Sequence, residues 1–384
     1  MSRINDFINN LCPNGVEYRF LKNVSTMQRG QSITSKELSD GNIPVIAGGQ
    51  EPSYYNDKSN REGETITVSG SGAYAGFVNY WNEPILCTDS FSIKTDNMNT
   101  KFLFHYLKMN QREIYNKKKG AGIPHVHISD LENMKIPVPP IEIQEEIVRI
   151  LDKFGELEAE LEAELEVRKS QYEFWRGKLL EDSKDKVKFG DIATIVRGGS
   201  PRPIQNFITT DDNSIPWIKI GDTNPNDKYV VATKEKITVD GSKKSRFVKA
   251  GDFILSNSMS FGRPYILKID GCIHDGWLSI SNFEDTYIPD FLYHLLSSKP
   301  IQDTMSMKAS IGTVKNLNAD IVKSIELPLY TKVEQEKIVR ILDKFEELTN
   351  DISVGLPAEI ELRRKQYEYY RNKLLSFEEL SVSE

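Results

Sequence analysis

The chain has 384 residues, a formal net charge of -7, and 39% hydrophobic and 10% aromatic content, enough apolar material for two or three compact units and too much for a disordered chain. No apolar run approaches the roughly 20 residues of a membrane helix, and the opening Met1-Ser-Arg-Ile-Asn-Asp-Phe7 lacks a signal pattern. Cys12, Cys87 and Cys272 are too few and scattered for a disulfide frame or zinc knuckle, so a soluble cytoplasmic protein without a membrane partner is expected.

Ile4, Phe7, Ile8 and Leu11 have helical spacing and stop at the turn Cys12-Pro-Asn-Gly15. From Val16 to about Pro139 the pattern changes to short β-rich runs, among them Ile43-Pro-Val-Ile46, Thr65-Ile-Thr-Val68 and Phe91-Ser-Ile93. One helix, Lys101–Lys108, interrupts them, and the mixture predicts an α+β domain over residues 1–138.

A long helix is expected over 139–182, opening at Pro139-Pro140. Ile147, Leu151, Phe154, Leu161, Leu165, Tyr172, Trp175 and Leu179 follow the alternation of four and three that marks a coiled-coil seam. A second β-rich domain, 183–326, repeats landmarks of the first in the same order. Arg29-Gly30 answers Arg197-Gly198, Asn42-Ile-Pro-Val answers Ser214-Ile-Pro-Trp, Gly63 answers Gly251, and Gly122-Ile-Pro-His-Val answers Ile311-Gly-Thr-Val-Lys315. The final segment, 327–384, starts with the capping box Thr331-Lys-Val-Glu334 and continues the seam through Ile338, Leu342, Phe345, Ile352 and Leu356.

The two helical segments are copies. Gln144–Leu157 and Gln335–Leu348 agree at twelve of fourteen positions, including Ile-Val-Arg-Ile-Leu-Asp-Lys-Phe, and Arg168–Leu180 again matches Arg363–Leu375. The second copy carries four extra residues around Gly355-Leu-Pro357, a stutter that should kink or break the helix. Acidic residues concentrate on these copies: 139–180 carries eleven acids and six bases, and 326–384 thirteen and nine, so together they hold -9 and the remainder +2. The overall charge therefore does not exclude DNA binding by the globular domains.

No constellation for catalysis is evident. Ser69-Gly-Ser-Gly-Ala-Tyr-Ala-Gly76 lies between two strand patterns, as a hairpin turn or exposed recognition loop would, and not ahead of a helix as a phosphate cradle requires. His125-Val-His127 lacks a third metal ligand in reach, and His105 and His294 occupy matched, apolar-flanked helix positions that suit core-edge histidines. No metal site is expected.

Basic and polar loops are better placed for phosphate and base contacts. The candidates are Arg29, Lys36, Ser71, Tyr74, Lys117, Lys118 and Lys119 in the first domain. In the second they are Arg197, Arg202, Lys243, Lys244, Arg246, Asn257, Arg263, Lys308 and Lys315. For any one of them the competing reading is a solvated surface charge.

Two divergent domains alternating with helices that bear Gln-x-x-Ile-Val-x-Ile-Leu-Asp-Lys-Phe and Arg-x-x-Gln-Tyr-Glu-Tyr/Phe-Tyr/Trp-Arg-x-Lys-Leu-Leu closely resemble the specificity subunits of bacterial type I restriction-modification systems. The resemblance implies two target recognition domains, two antiparallel spacer helices with a pseudo-two-fold relation, and a non-catalytic subunit that binds double-stranded DNA. It also implies two modification (methyltransferase) subunits bringing S-adenosylmethionine, and then restriction subunits using ATP and magnesium, with no cofactor in this chain. Helices paired over roughly 30 to 35 residues would span about 45 to 50 Å, or some 13 to 15 base pairs of unread DNA between unlike half-sites. The repeated outer residues Arg149/Arg340, Asp152/Asp343 and Lys153/Lys344 are candidates for binding two copies of one partner, against the plainer reading of charge pairing along the helix. The other class of function weighed is a coiled-coil scaffold whose globular domains bind proteins.

Overall fold

The structure is a computed structural model that describes residues 2–33, 39–95, 97–120, 122–181, 183–224, 227–257, 261–310, 317–351 and 353–380. Lys36, Lys315, Ile352 and the matched run 311–315 lie outside the described residues. Two compact units divide the chain: Met1–Glu162 with Glu359–Glu384, and Ala163–Ala358. The expected α+β class holds in both.

In the first unit, an antiparallel sheet has the strand order Thr26–Arg29, Ser90–Lys94, Thr65–Ser69, Val78–Trp81. A smaller sheet orders Tyr54–Asn56, Ile43–Ile46, Leu86–Cys87, and its last pair is parallel. The second unit repeats the plan: Thr194–Arg197, Trp277–Ser281, Phe253–Ser256, Pro264–Leu267 in one sheet, and Glu235–Ile237, Ile215–Ile218, Gly271–Ile273 within the other, again ending in a parallel pair. It adds the strands Tyr229–Val230, Ile208–Thr209 and Arg246–Val248. All of Thr65–Ser69 and Phe253–Ser256 is buried, which is why these runs read as continuous β-formers and not as alternating ones.

Each domain closes with a two-stranded ribbon, Tyr18–Phe20 on Lys135–Pro137 and Lys186–Lys188 on Glu326–Pro328, and then enters its long helix. The first helix runs unbroken from Ile141 to Glu181. The second is two helices, Lys332–Asn350 and Leu356–Leu375, interrupted at the expected stutter. At the break the Asp351 carboxylate accepts hydrogen bonds from the Ser353 N–H (2.6 Å) and hydroxyl (2.5 Å), while Gly355 N–H donates to Asp351 O (3.1 Å). A Cβ on Gly355 would stand 2.4 Å from the Glu347 carbonyl, so the returning backbone tolerates only glycine. Pro357 then occupies the opening turn, where no intrahelical donor is needed. The Thr331 capping box forms as expected, with Glu334 N–H donating to Thr331 Oγ1 (3.3 Å) and the Glu334 carboxylate accepting from Thr331 N–H (2.8 Å).

The duplicated peptide is the part of each helix that enters a domain core. Ile147, Val148 and Leu151 are buried in the first unit, and Ile338, Val339 and Leu342 in the second. Buried Gln144 accepts from Asn99 N–H (2.8 Å) and donates to Pro139 O (2.7 Å). Gln335 does the same with Ile288 N–H (2.8 Å), Thr286 O (2.8 Å) and Tyr330 O (2.9 Å). Each side-chain amide thus satisfies backbone groups that burial would otherwise orphan.

Helix pairing is antiparallel within each unit, because partners run in opposite chain directions. Phe154 stacks on Tyr370 (5.4 Å) and Arg364 reaches Glu158 and Glu162 (2.5 Å each) in the first. In the second, Tyr172 stacks on Phe345 (6.2 Å) and the Tyr330 hydroxyl donates to Leu179 O (2.9 Å). The matched phenylalanines therefore choose unmatched partners: Tyr370 corresponds to Trp175, yet Phe345 takes Tyr172. Trp175, expected in the seam, is instead 39% exposed, with Lys178 Nζ 5.2 Å from its ring centre.

The segment after the last helix folds back onto the first domain. Val16 N–H donates to Glu378 O (2.8 Å), Leu380 N–H to Val16 O (2.9 Å) and the Tyr18 hydroxyl to Phe377 O (3.0 Å), while Phe377 packs against Phe102 (6.4 Å). Phe377 is only partly buried, so Phe377→Ala should cost about 1–3 kcal/mol, less than a fully buried phenylalanine. Hydrogen exchange should register this loss as faster exchange in Thr65–Ser69 and not in Phe253–Ser256.

Candidate nucleic-acid interface

The glycine of each Arg-Gly pair is fixed by a close backbone approach. A Cβ on Gly30 would lie 2.0 Å from Thr88 O, and one on Gly198 would lie 2.1 Å from His274 O; both are below any tolerable contact with backbone. The same ladder surrounds them. Gly30 N–H donates to Ser90 O (2.7 Å) and Gln31 N–H to Cys87 O (3.0 Å), as Gly198 N–H does to Trp277 O (2.8 Å) and Gly199 N–H to Ile273 O (3.1 Å). The arginine strand is thereby pressed against a turn that joins the two sheets, Thr88-Asp89 in one unit and His274-Asp275-Gly276 in the other.

Around the first turn, Arg29 is exposed at the end of its strand, and the Ser71 hydroxyl donates to the Asp89 carboxylate. Ser71 lies in the loop between Thr65–Ser69 and Val78–Trp81, so Ser69–Gly76 is a hairpin connection, with Gly72 and Gly76 at positive φ and Tyr74 46% exposed. Lys118 Nζ donates to Ala73 O of that loop (3.1 Å). The Lys119 backbone exchanges both hydrogen bonds with His125 (2.9 and 2.8 Å), which also bridges to Ser71. Arg29, Gly70, Asp89, His125 and His127 line one open cavity of about 220 Å³. The His125 and His127 rings stack at 5.9 Å. Lys117 pairs with Glu113 (3.3 Å) and Lys119 with Asp130.

The second turn gathers more of the candidates. Arg197 Nε and Asn257 Nδ2 donate to the Asp275 carbonyl (3.0 and 2.8 Å). The Asp275 carboxylate accepts from the Ser200 hydroxyl (2.7 Å) and from Arg202 (3.4 Å). The hydrogen bond from Ser200 holds the Asp275 pKa below the usual carboxylate range, against a smaller opposing effect of burial. Burial pushes the His274 imidazole down. Ser245 Oγ donates to Gly199 O (2.7 Å), which brings alongside the run Lys243–Arg246 that leads into the strand Arg246–Val248. Within this run, Lys243 pairs with Asp240 (2.9 Å) and Lys244 lies over Phe207 (4.8 Å), while Arg246 is exposed. Arg263 N–H donates to Ser256 Oγ (3.1 Å), next to Asn257. Lys308 is turned away onto Ser324 (2.9 Å). Asp89, Asp275 and Ser200 escape a sequence reading, because Cys87-Thr-Asp89-Ser90 and Ile273-His-Asp275-Gly276 share one residue. Counted from the strand entering each turn, Asp89 and Asp275 share a place; counted from the strand leaving it, Asp89 matches Gly276, because the second turn is one residue longer.

On the helices, Arg149, Lys153, Arg340 and Lys344 are exposed, and Arg149 pairs with Glu146 (2.6 Å). Asp152 and Asp343 turn inward instead. Asp152 meets Lys101 Nζ (2.7 Å) and His105 Nε2 (3.4 Å), and Asp343 meets His294 Nε2 (2.7 Å). Both histidines are buried at the domain–helix contact, as their apolar flanks suggested. His294, Asp343 and Glu346 are the one set among the described residues whose atoms could surround a cation. However, Lys228 already places its ammonium 3.8 Å from Asp343 and 2.8 Å from Asp290, so the group works as an ion-pair cluster.

A family profile described as "Type I restriction modification DNA specificity domain" matches this sequence twice, over residues 13–167 and 181–362. The chain belongs to that family. Each match takes one recognition domain and part of one repeated helix, so the structural duplication and the family repeat coincide. The "Type I restriction enzyme EcoR124I/EcoR124II specificity subunit" of Escherichia coli is 35% identical over 265 residues, and the match spans 65% of each chain, just under two thirds of that relative's length. A putative type I specificity subunit of Haemophilus influenzae is 31% identical over 390 residues, covering 94% of this chain and 96% of the relative. Among solved structures, the type I S subunit from M. genitalium aligns with a TM-score of 0.56 at 18% identity, over 94% of this chain and 96% of that one. A structure from work on assembly and conformational transition of the type I R-M system gives 0.61 at 16%, over 94% and 98%. These neighbours share the fold.

The hydrogen bond from His294 lowers the Asp343 pKa, with burial opposing it and Lys228 adding to it. A carboxylate depressed in the folded state contributes stability above its unfolded pKa of about 4 and loses it as pH falls through the folded value. Asp343→Asn should therefore destabilise the second unit near neutral pH and flatten the acid limb of its melting temperature below about pH 4. A thermal melt series from pH 7 downward checks both effects.

Proposed function

We propose that the chain is the non-catalytic DNA-reading subunit of a type I modification and restriction complex, each unit reading one half of an asymmetric two-part target. The observation that carries this is the repeated turn. Two units of one topology press an Arg-Gly strand against an aspartate turn at the same place, and surround it with different side chains: Ser71, Tyr74, Lys118 and His125 in one, Arg202, Asn257 and Arg246 in the other. Equal scaffolds with unequal contact residues suit two different half-sites. The arginines and lysines would neutralise phosphates, and Ser71 and the strand-end arginines would face base edges, while buried Asn257 braces the turn through the Asp275 carbonyl.

The repeated helices would carry two copies of one methyltransferase subunit. Support comes from what each copy leaves uncovered: the cationic pairs Arg149/Lys153 and Arg340/Lys344, and an apolar pair seven residues apart, Val167 and Phe174 (54% and 62% exposed) in one copy and Leu362 and Tyr369 (60% each) in the other. Residues seven apart share a helix face, as a partner helix requires. S-adenosylmethionine would come with those subunits, and ATP and magnesium with restriction subunits. The complex would work in the cytoplasm; no helix of the described residues is long and apolar enough to cross a membrane.

Co-expressed with its modification subunit, the chain should direct adenine methylation to an asymmetric bipartite motif, mapped genome-wide. Unchanged methylation together with no retention of DNA would overturn the reading and favour a protein-binding scaffold. Exchanging residues 16–138 for the equivalent domain of a relative should alter one half-site only. Inserting four residues into one long helix should lengthen the unread spacer by about two base pairs, from roughly 1.5 Å per residue, and leave base preferences unchanged.

A further inference from the structure

We propose that Asp275, with Asp89 at the matching turn, is a positioning residue for sequence reading: it orients the side chains that meet DNA and does not itself define a base. This rests on the DNA-reading function proposed above. Asp275 touches four groups at once. Its carbonyl takes Arg197 Nε (3.0 Å) and Asn257 Nδ2 (2.8 Å), and its carboxylate takes the Ser200 hydroxyl (2.7 Å) and Arg202 Nη2 (3.4 Å). Asn257 is itself 3% exposed and held by a further backbone bond, its N–H to Gly276 O (3.1 Å).

A bare carboxylate is an unfavourable neighbour for phosphate. Two considerations explain its presence. First, both its oxygens already accept hydrogen bonds from protein donors, so part of its acceptor capacity is taken up within the protein. Second, an arginine is a specific base reader only if its planar fork is held in one orientation, and fixing it in the free protein removes ordering cost from the bound state. Arg202 is 82% exposed along its side chain; its contact with Asp275 limits that freedom. In the first unit, Asp89 holds the Ser71 hydroxyl through its carboxylate and Gly70 N–H through its carbonyl (3.1 Å). Ser71 and Ser200 come from different segments of the two domains, so an aspartate within the turn is the shared part, although the second turn is one residue longer, and the residues it holds are the variable part.

The experiment uses the full chain with its modification subunits on a library of DNA randomised in both half-sites, reading methylation by sequencing, with melting temperatures measured in parallel. The wild-type complex must first show a bipartite preference; a wild type without one defeats the functional reading and not the role of Asp275. Given that preference, Asp275→Ala should reduce discrimination at one half-site by roughly tenfold, the scale of one lost hydrogen bond to a charged group, and leave the other half-site intact. Asp89→Ala should do the reverse. Asp275→Asn, which keeps an acceptor for Ser200, should recover most of the discrimination, and Ser200→Ala should reproduce part of the loss. A uniform fall on every sequence, an effect on both half-sites, or unchanged discrimination would overturn the proposal. So would a switch to a new preferred base in Asp275→Asn, which would make the carboxylate a reader. Should Asp275→Ala fail to fold, Asp275→Asn and Ser200→Ala decide the matter by the same criteria.

Discussion

Two buried glutamines hold the molecule's plan together. Gln144 and Gln335 sit in the first turn of each long helix, and each amide bonds backbone groups of the domain that precedes it. An amide carrying both donor and acceptor is the one uncharged side chain of this length that can do so; leucine would fill the space and orphan the backbone, and glutamate would bring a buried charge. The inward aspartate of the same peptide then meets a buried histidine of the domain. The direction in which each helix leaves its domain follows from these few bonds, and that direction must be reproducible if a helix is to act as a measure of DNA length.

This gives the duplicated peptide two faces with different duties. Ile147, Leu151 and Asp152 belong to the domain, as do Ile338, Leu342 and Asp343, whereas Arg149 and Lys153, with Arg340 and Lys344, face solvent. Near-identity across fourteen positions is explained by packing on the inner face. On the outer face packing explains nothing, and the recurrence of the same cations there is the ground on which one partner met twice is proposed.

Periodicity makes the helices legible, residue types the capping box, and comparison of the two copies the break at Gly355-Leu-Pro357. The strand runs of both domains and the matched Arg-Gly pairs are legible too. Trp175 departs from its expected seam position, since the four-three alternation gives the face of a residue but not which aromatic on a neighbouring helix will meet Phe345. Asp152 and Asp343 look like outer residues in sequence for a similar reason: the histidines that turn them inward lie 47 and 49 positions away. The aspartate turns are invisible there because a site assembled from four separate strand ends leaves no continuous pattern along the chain. Their correspondence needs the sheets.

The return of residues 377–380 to Val16 has a consequence for how the protein is made. The second unit is a single stretch, 163–358, but the first needs 1–162 together with 359–384. Emerging from the ribosome N-terminal end first, the chain can complete its later half before its earlier one. Until the last helix arrives, the first domain lacks Leu374, Leu375 and Phe377 from its core. It would wait with that apolar surface open to water until the chain is nearly finished.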